Sequence, residues 1–529
     1  MSEAVALPDD ATARTWLGFI LMCLGMFMAI LDIQVVATSL PAIQEALDIS
    51  RDAMSWIQTA YLIAEIIAIP LTGWLTRVLT LRWLFVAAIS LFTAASIGCA
   101  ASDNFSTLIS FRVLQGFAGG ALIPAVFSAV FLLFPLRLHP VATTLAGIVA
   151  VLAPTVGPVV GGWITETWSW HWLFLINVAP GLLAAAATPS LLPQDKTNFA
   201  ELANLDRLSL LLMALALATL EIGLKQAPLD GWLSPRCLAL FATSAVSAWT
   251  FAKRTVRAAY PVVELTTLSA RAFAVGCGLS FCLGVGLFGS VYLMPVFLAY
   301  VRRHDAFEIG TIMLVTGVAQ LLSAPIAGML ESRLDPRKLS AAGFALFAAG
   351  LGISAFQSRV ADFDEMFVPQ VLRGIAIMFC LLPPTRLALG ALTAAQVPDA
   401  SGLFNLMRNL GGAIGIALID TILYGRTIGH GEALRDRLIA GDVSAARAIG
   451  LDVDLFLHPP PDVTQGTIEA YVRPMVERAA FAMSVNEAWA LLATVALAAL
   501  VLVWFAGVTE PSAASSATAR TGQKRVPVR

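Results

Sequence analysis

The chain has 529 residues, of which 58% are hydrophobic and 13% charged. A soluble domain carries roughly a quarter charged residues and intrinsic disorder needs low hydrophobicity with high charge, so both classes are excluded. The net charge of -2 leaves no basic footprint for nucleic acid, and six cysteines are too few for a disulfide scaffold of this size.

What remains is an all-α polytopic membrane protein. A crossing helix needs about 20 mainly apolar residues. Fourteen stretches qualify, at 16–39, 54–76, 83–101, 105–134, 140–164, 172–192, 206–225, 235–252, 272–300, 308–330, 338–356, 364–390, 401–425 and 486–507. None alternates with the period of two that a membrane barrel requires. Residues 1–15 contain acids and precede a long apolar run, which predicts a tail and not a cleavable signal.

An ionisable group at the bilayer centre costs roughly 2.5–3.5 kcal/mol on insertion scales, so each one within a span needs a reason. The first span carries Asp32 and the second Glu65. A carboxyl withdrawn from water is easier to protonate, so such acids can bind and release protons near neutrality. Both are candidates for proton coupling. The competing readings are a helix-end acid reaching interfacial water for Asp32 and a structural polar pair for Glu65. In the fourth span, Arg112, Gln115 and Gly119 share one face at i, i+3 and i+7. A buried arginine beside a titrating acid helps it release its proton, and the alternative for Arg112 is a fixed clamp between helices.

The fifth span contains GPVVGG at 157–162. Small residues four apart let backbones approach closely, and Pro158 removes one helix hydrogen bond and permits a bend. Gly157, Pro158, Gly161 and Gly162 are therefore candidates for a helix-packing seam. Trp163, Trp168, Trp170 and Trp172 follow, as an interfacial belt. Glu221 lies near the outer end of the seventh span, where a hydrated acid is expected. The twelfth span holds Arg373 and Arg386, the latter free to snorkel. The thirteenth holds Arg408, Asp420 and the glycines Gly411, Gly412 and Gly415. Segment 426–485 has mixed charges and an HPPPD run at 458–462, which predicts an aqueous excursion with short amphipathic helices.

All six cysteines fall in apolar runs with no metal-type spacing, and the five histidines lie outside or at the edges of the spans. No metal site, cofactor or enzymatic nucleophile–base set is expected. There is no GxxxxGK[ST] run to bind a nucleotide phosphate.

Internal repeats link the two ends of the chain. PLTGWLTRVLTLR at 70–82 resembles PIAGMLESRLDPR at 325–337, RVLQG at 112–116 resembles QVLRG at 370–374, and Gly157 and Gly161 match Gly411 and Gly415. The offsets are 255, 258 and 254. Two duplicated six-helix halves with a two-helix insertion account for this pattern, an arrangement that places a substrate site between the halves. The boundaries expected are a tail at 1–15, one half at 16–192, the inserted pair at 193–257, the other half at 258–507 and a tail at 508–529. With both termini inside, seventeen Lys and Arg fall on the inner side against six in short outer loops. That bias predicts cytoplasmic termini.

Several segments resemble the major facilitator superfamily, specifically its fourteen-helix drug:proton antiporters of the EmrB/QacA type, nearest the EmrB branch. They are LDIQVVATSLP (31–41), IPLTGWLTRVLTLRWLF (69–85), FRVLQGFAGGALIPA (111–125), APTVGPVVGGWI (153–164), WHWLFLINVAPG (170–181), LFNLMRNLGGAIG (403–415) and SVNEAW (484–489). The resemblance implies a major facilitator fold in a bacterial inner membrane. It also implies that Asp32, Glu65 and Arg112 carry proton coupling, while Gln34, Gln115, Arg408 and Asp420 line the substrate cavity. Gly73, Arg77 and Arg82 of the loop motif would serve gating and helix packing, and the fifth-span glycines would lie at the seam between halves. Gln34, Ala37 and Thr80 depart from the usual Thr, Asn and Gly, and the loop motif lacks its usual Asp. By the same resemblance the partners are protons, a small hydrophobic or amphipathic substrate, a periplasmic EmrA-like membrane-fusion adaptor and an outer-membrane channel.

The expected function is proton-coupled export of hydrophobic or amphipathic compounds by alternating access. Its rivals are an importer or an exporter of one specific metabolite on the same fold, a membrane enzyme, and a receptor without transport.

Overall fold

The computed structural model describes residues 11–203, 205–458 and 465–506. Residues 1–10, most of the HPPPD run and the expected tail at 508–529 lie outside the described residues. Everything ordered into repeating structure is helical, with no strand among the described residues. Polar caps mark the points where helices leave water. Thr12, Asn104, Asp206 and Ser234 accept the backbone N–H three residues on, and Asp305 forms a reciprocal capping box with Glu308.

The crossings are α1 (Ala13–Ala46), α2 (51–79), α3 (81–100), α4 (Phe105–Leu133), α5 (His139–Thr167), α6 (Val178–Leu191), α7 (Arg207–Asp230), α8 (Pro235–Arg257), α9 (Arg271–Phe297), α10 (Ala306–Arg333), α11 (Pro336–Ser354), α12 (Phe363–Leu389), α13 (Val397–Ile439) and α14 (Gln465–Trp504). Helices α2 and α3 form one continuous 50-residue element, bent at Thr80 (φ 72°, ψ 160°). A straight helix of that length would run about 75 Å, far beyond a hydrocarbon core of about 30 Å, so the bend makes it two crossings. Among the described residues, eleven elements qualify as spans by length and hydropathy, this one among them. The bend, together with the shorter or more polar α8 and α11, brings the bundle to fourteen. An even number of crossings returns both termini to one face, called here the terminal face.

Helices pack closely where side chains are small. In α4, Gly116 and Gly120 lie against the backbone carbonyls of Tyr61 and Glu65, leaving no room for a Cβ and pressing α2 onto α4. The seams between the two sets of six helices run along α5–α10 and α2–α13. Gly310, Gly317 and Gly328 of α10 face Val159, Thr155 and Thr144 of α5, while Gly73 of α2 faces Asp399 of α13. The repeat is visible here in three dimensions: Gly328 follows Gly73, and Asp399 follows Thr144, by the same 255 residues.

The fifth-span glycines pack differently from the expectation. Helix α5 does sit at the seam, but Gly157 faces Gln34 of α1 and the Gly161 carbonyl accepts from Ser39, so these glycines serve packing within their own half. Pro158 is buried in the same helix and Gly162 is half-buried. Gly411, Gly412 and Gly415 of α13 likewise face α9, at Phe281, Phe288 and Val285. The reason is the 3.6-residue turn: Thr155 and Val159 occupy the face toward α10, and Gly157 between them turns away.

The inserted pair is part of the seam. Lys225 of α7 donates to Ser55 and Thr59 of α2, at 3.0 and 2.6 Å, and lies 4.8 Å over the Trp56 ring. Just beyond α7, Trp232 donates to Thr421 of α13 at 2.9 Å. Helix α7 thus touches both walls. Helix α8 packs on α7 through the Ser244–Ala216 bond and through Arg254, which reaches the Asp206 carboxylate.

Segment 426–485 departs from the expected excursion of short helices. Helix α13 continues unbroken to Ile439 and α14 begins at Gln465, leaving Val443–Ile449 and Val453–Leu457 as the short helices among the described residues. The extensions form a stalk with its own apolar core of Leu434, Ala446, Ile449, Leu451, Ala479 and Ala480. Arg426 grips Glu487 through two nitrogens at 2.8 and 2.9 Å, and His430 meets the same carboxylate at 2.8 Å. Charges that read as loop in the sequence are the polar clamp of a helical hairpin.

Candidate functional site

Asp32 and Arg112 are fully buried and meet at 2.5 Å, Oδ2 to Nη1. The second Asp32 oxygen accepts from Gln115 Nε2 and Asn177 Nδ2, both at 2.9 Å. Gln115 also accepts from Arg112 Nη1 at 2.8 Å and donates to Ser96 at 2.9 Å. Arg112 Nε donates to the Ile57 carbonyl at 3.1 Å, and its guanidinium lies 4.3 Å from the Tyr61 ring centroid. Five helices (α1 to α4 and α6) therefore meet at one charge pair. Opposite charges this close, with three hydrogen bonds to the Asp32 carboxylate, are what lets two ions sit in a low-dielectric interior, although Arg112 Nη2 is left without a partner.

Asn177 was not visible as a functional candidate in the sequence. It occupies the N-cap of α6 but makes no side-chain cap bond, because its amide goes to Asp32. A neutral amide inside the apolar LFLIN run carries no distinguishing pattern.

Glu65 lies one to two turns along α2 from Ile57 and Tyr61 and is 4% exposed. Among the described residues, no hydrogen bond or ion pair holds its carboxylate. The charges acting on it are Arg112, Glu221, Arg408 and Asp32. Arg408 in turn is buried in α13, bonded to Asn405 and 5.5 Å from the Phe127 ring centroid. Glu65 thus lies within electrostatic reach of both the N-terminal charge pair and an arginine of the opposite half.

The remaining sequence candidates are dispersed. Gln34 packs on Gly157, on the α1–α5 contact. Asp420 accepts from Tyr292 Oη at 2.6 Å, joining α13 to α9. At the terminal face, Arg77 pairs with buried Asp399, approaches Glu201 at 3.5 Å and donates to the Pro261 carbonyl at 3.1 Å. A methyl at Gly73 would collide with that same Asp399. Arg82 donates to the Pro189 carbonyl at 3.2 Å, tying α3 to the end of α6. Asp399 is a further functional residue that the sequence does not single out, because it lies two residues before the apolar run at 401–425.

Fourteen crossings arranged as repeated halves, with a buried ion pair in one half and a charged seam between them, define a membrane transporter. The chain belongs to the Major Facilitator Superfamily, whose family model matches residues 22–416. Over 416 residues it is 39% identical to the colistin resistance protein EmrB of Acinetobacter baumannii, covering 78% of this chain and 81% of that one. It is 28% identical to the multidrug export protein EmrB of Escherichia coli, covering 92% and 94% respectively. Among solved structures, the proton:xylose symporter XylE shares the fold with a TM-score of 0.57 at 12% identity, covering 94% of this chain and 96% of that one. The protein is a multi-pass protein of the bacterial inner membrane.

Proposed function

We propose that this chain is a proton-coupled multidrug exporter that moves hydrophobic or amphipathic compounds by alternating access, with both termini in the cytoplasm. The observation that carries the coupling is the contrast between two neighbouring acids. Asp32 is held by Arg112, Gln115 and Asn177, whereas the Glu65 carboxylate has no such partner among the described residues and lies within electrostatic reach of Arg112 and of Arg408 in the opposite half. Glu65 takes the proton first, and the charge change reaches Asp32 through Arg112, which acts on both acids. The export direction follows the two EmrB relatives. XylE, a symporter, shows that the fold alone does not set direction.

In this reading residues 16–192 and 258–507 are the moving halves and 193–257 the insertion. Arg77, Asp399 and Gly73 close the terminal face, with Arg82 as a fixed tie. Gln34, Gln115, Arg408 and Asp420 border the path of the cargo. The stalk of α13 and α14 is the docking element for an EmrA-like periplasmic adaptor, and an outer-membrane channel completes the route. One charge crossing 100 mV supplies about 2.3 kcal/mol, enough for roughly a fiftyfold concentration ratio per proton.

The test is transport in inverted membrane vesicles together with survival of a pump-deficient host. Wild-type protein is expected to accumulate a lipophilic dye in inverted vesicles upon acidification of their lumen. Glu65→Gln and Asp32→Asn are expected to abolish this accumulation. Dye movement out of the vesicle lumen with the proton gradient would establish import instead.

A further inference from the structure

Of the four arginines within the spans, three have an acid in range. Arg112 pairs with Asp32, Arg408 feels Glu65, and Arg386 acts on Glu331. Arg373 of α12 has none: no carboxylate acts on it among the described residues. It is 2% exposed. Its guanidinium lies 4.6 Å from the Trp489 ring centroid, and Nη2 contacts the Met294 sulfur at 3.5 Å. Its Nε and Nη1 are buried with no hydrogen-bond partner. Below it, Gly350 leaves the space that the Arg373 stem fills, since a Cβ there would lie 2.9 Å from Arg373 Cγ.

Arg373 borders a cavity of about 40 Å³, with Thr316, Gln320, Met294, Pro154 and Thr155 among the other walls. Room for one water begins at roughly 10–15 Å³, so this volume accommodates about three waters or one compact anion. Two further unmet donors lie next to Arg373 but do not line the cavity: Gln370 Nε2, one turn before it, and Trp489 Nε1, whose ring the guanidinium covers. Gln370 presents its oxygen to Thr316 at 3.0 Å, which fixes the amide with its donor side free. Gln320 Oε1 is the one unpartnered acceptor on the wall, and rotation of the amide exchanges it for a donor. A buried guanidinium without counter-charge is among the most costly groups an interior can hold.

We infer that this cavity is a binding site for a compact monoanion, a halide or a carboxylate, held by Arg373 at the seam between α5 and the C-terminal half. The repeat supports a built site. RVLQG and QVLRG place Arg112 where the second half has Gln370, and Gln115 where it has Arg373. In the first half the arginine is neutralised by an internal carboxylate; in the second the same arginine–glutamine pair is present and the carboxylate is not, so the counter-ion comes from outside. Because Pro154 and Thr155 belong to the opposite half, the anion bridges the two halves and favours the state in which they are together.

The source is either a free inorganic anion or the carboxylate of an organic cargo. Purified full-length protein in lipid nanodiscs is titrated with sodium chloride or with sodium acetate. Sodium gluconate, too bulky for the cavity, keeps ionic strength constant. A saturable rise in Tm is expected in wild type, with Arg373→Met weakening the apparent affinity roughly tenfold or more. Arg373→Lys, which keeps the charge, retains part of the effect. A response to chloride alone identifies an inorganic anion; a response to acetate that chloride does not reproduce identifies a carboxylate cargo. No shift in wild type with either salt means that only water fills the cavity and overturns the proposal, as does a shift that survives unchanged in Arg373→Met. The measurement involves no transport, so its failure leaves the export reading untouched.

Discussion

Asp32 and Arg112, 80 residues apart in sequence, form a buried ion pair at 2.5 Å that ties the first crossing to the fourth. Removing one member of such a pair leaves an uncompensated charge and costs about 3–5 kcal/mol, whereas removing both is far milder. Asp32→Asn and Arg112→Gln are each expected to lower Tm clearly. The double variant is expected to recover most of the loss. Thermal melts of the three proteins in one lipid environment check this, and equal additive losses would contradict it.

Glu65 gives the opposite expectation for stability. With no hydrogen bond to lose among the described residues, Glu65→Gln is expected to keep the fold within about 1 kcal/mol, while proton-driven transport falls to background. Dye flux in vesicles beside a thermal melt separates the two effects.

Thr80 stands at φ 72° and ψ 160°, a region essentially reserved for glycine. Its hydroxyl is also buried without a partner. Thr80→Gly is expected to stabilise the protein by about 1–3 kcal/mol, read as a rise in Tm.

The terminal-face closure depends on charge as well as fit. Arg77→Asp or Asp399→Arg alone is expected to expose the terminal end of α2 to a membrane-impermeant thiol reagent, read at a cysteine placed at Trp74. The reversed pair, Arg77→Asp with Asp399→Arg, is expected to restore protection at least in part. Gly73→Val should expose the same position, because its side chain displaces Asp399.

Asp206, at the membrane-edge start of α7, is held at a pKa of about 2 by the Ser209 hydroxyl first, with the Ser209 N–H and Arg254 adding to it. A depressed carboxyl stabilises the fold fully above its unfolded value of about 3.9 and loses that contribution as pH falls through about 2. The Tm gap between wild type and Asp206→Asn is therefore expected to be level from pH 8 to 5 and to close below pH 4.

The two ions of the central pair were legible because a charge in an apolar run stands out at once. Their contact was not: α1 and α4 meet through packing that no local pattern encodes. The glycine seam shows the same limit, since spacing of four predicts close approach but not the neighbour, and Gly157 found Gln34 instead of the opposite half. The departure at Thr80 from the usual glycine was visible in the sequence, but only the backbone shows what it means. Asn177 and Asp399 carry no sequence signal for separate reasons, one being neutral among apolar neighbours and the other lying just outside the apolar run at 401–425.

Helix α7 is bonded to α2 through Lys225, and the turn after it is bonded to α13 through Trp232. These two walls belong to opposite halves, so parting them stretches the inserted segment as a tether. A bundle of twelve helices would have no such stop. The extra pair is expected to limit the travel of the halves, and shortening the side chain at either anchor to let them swing wider.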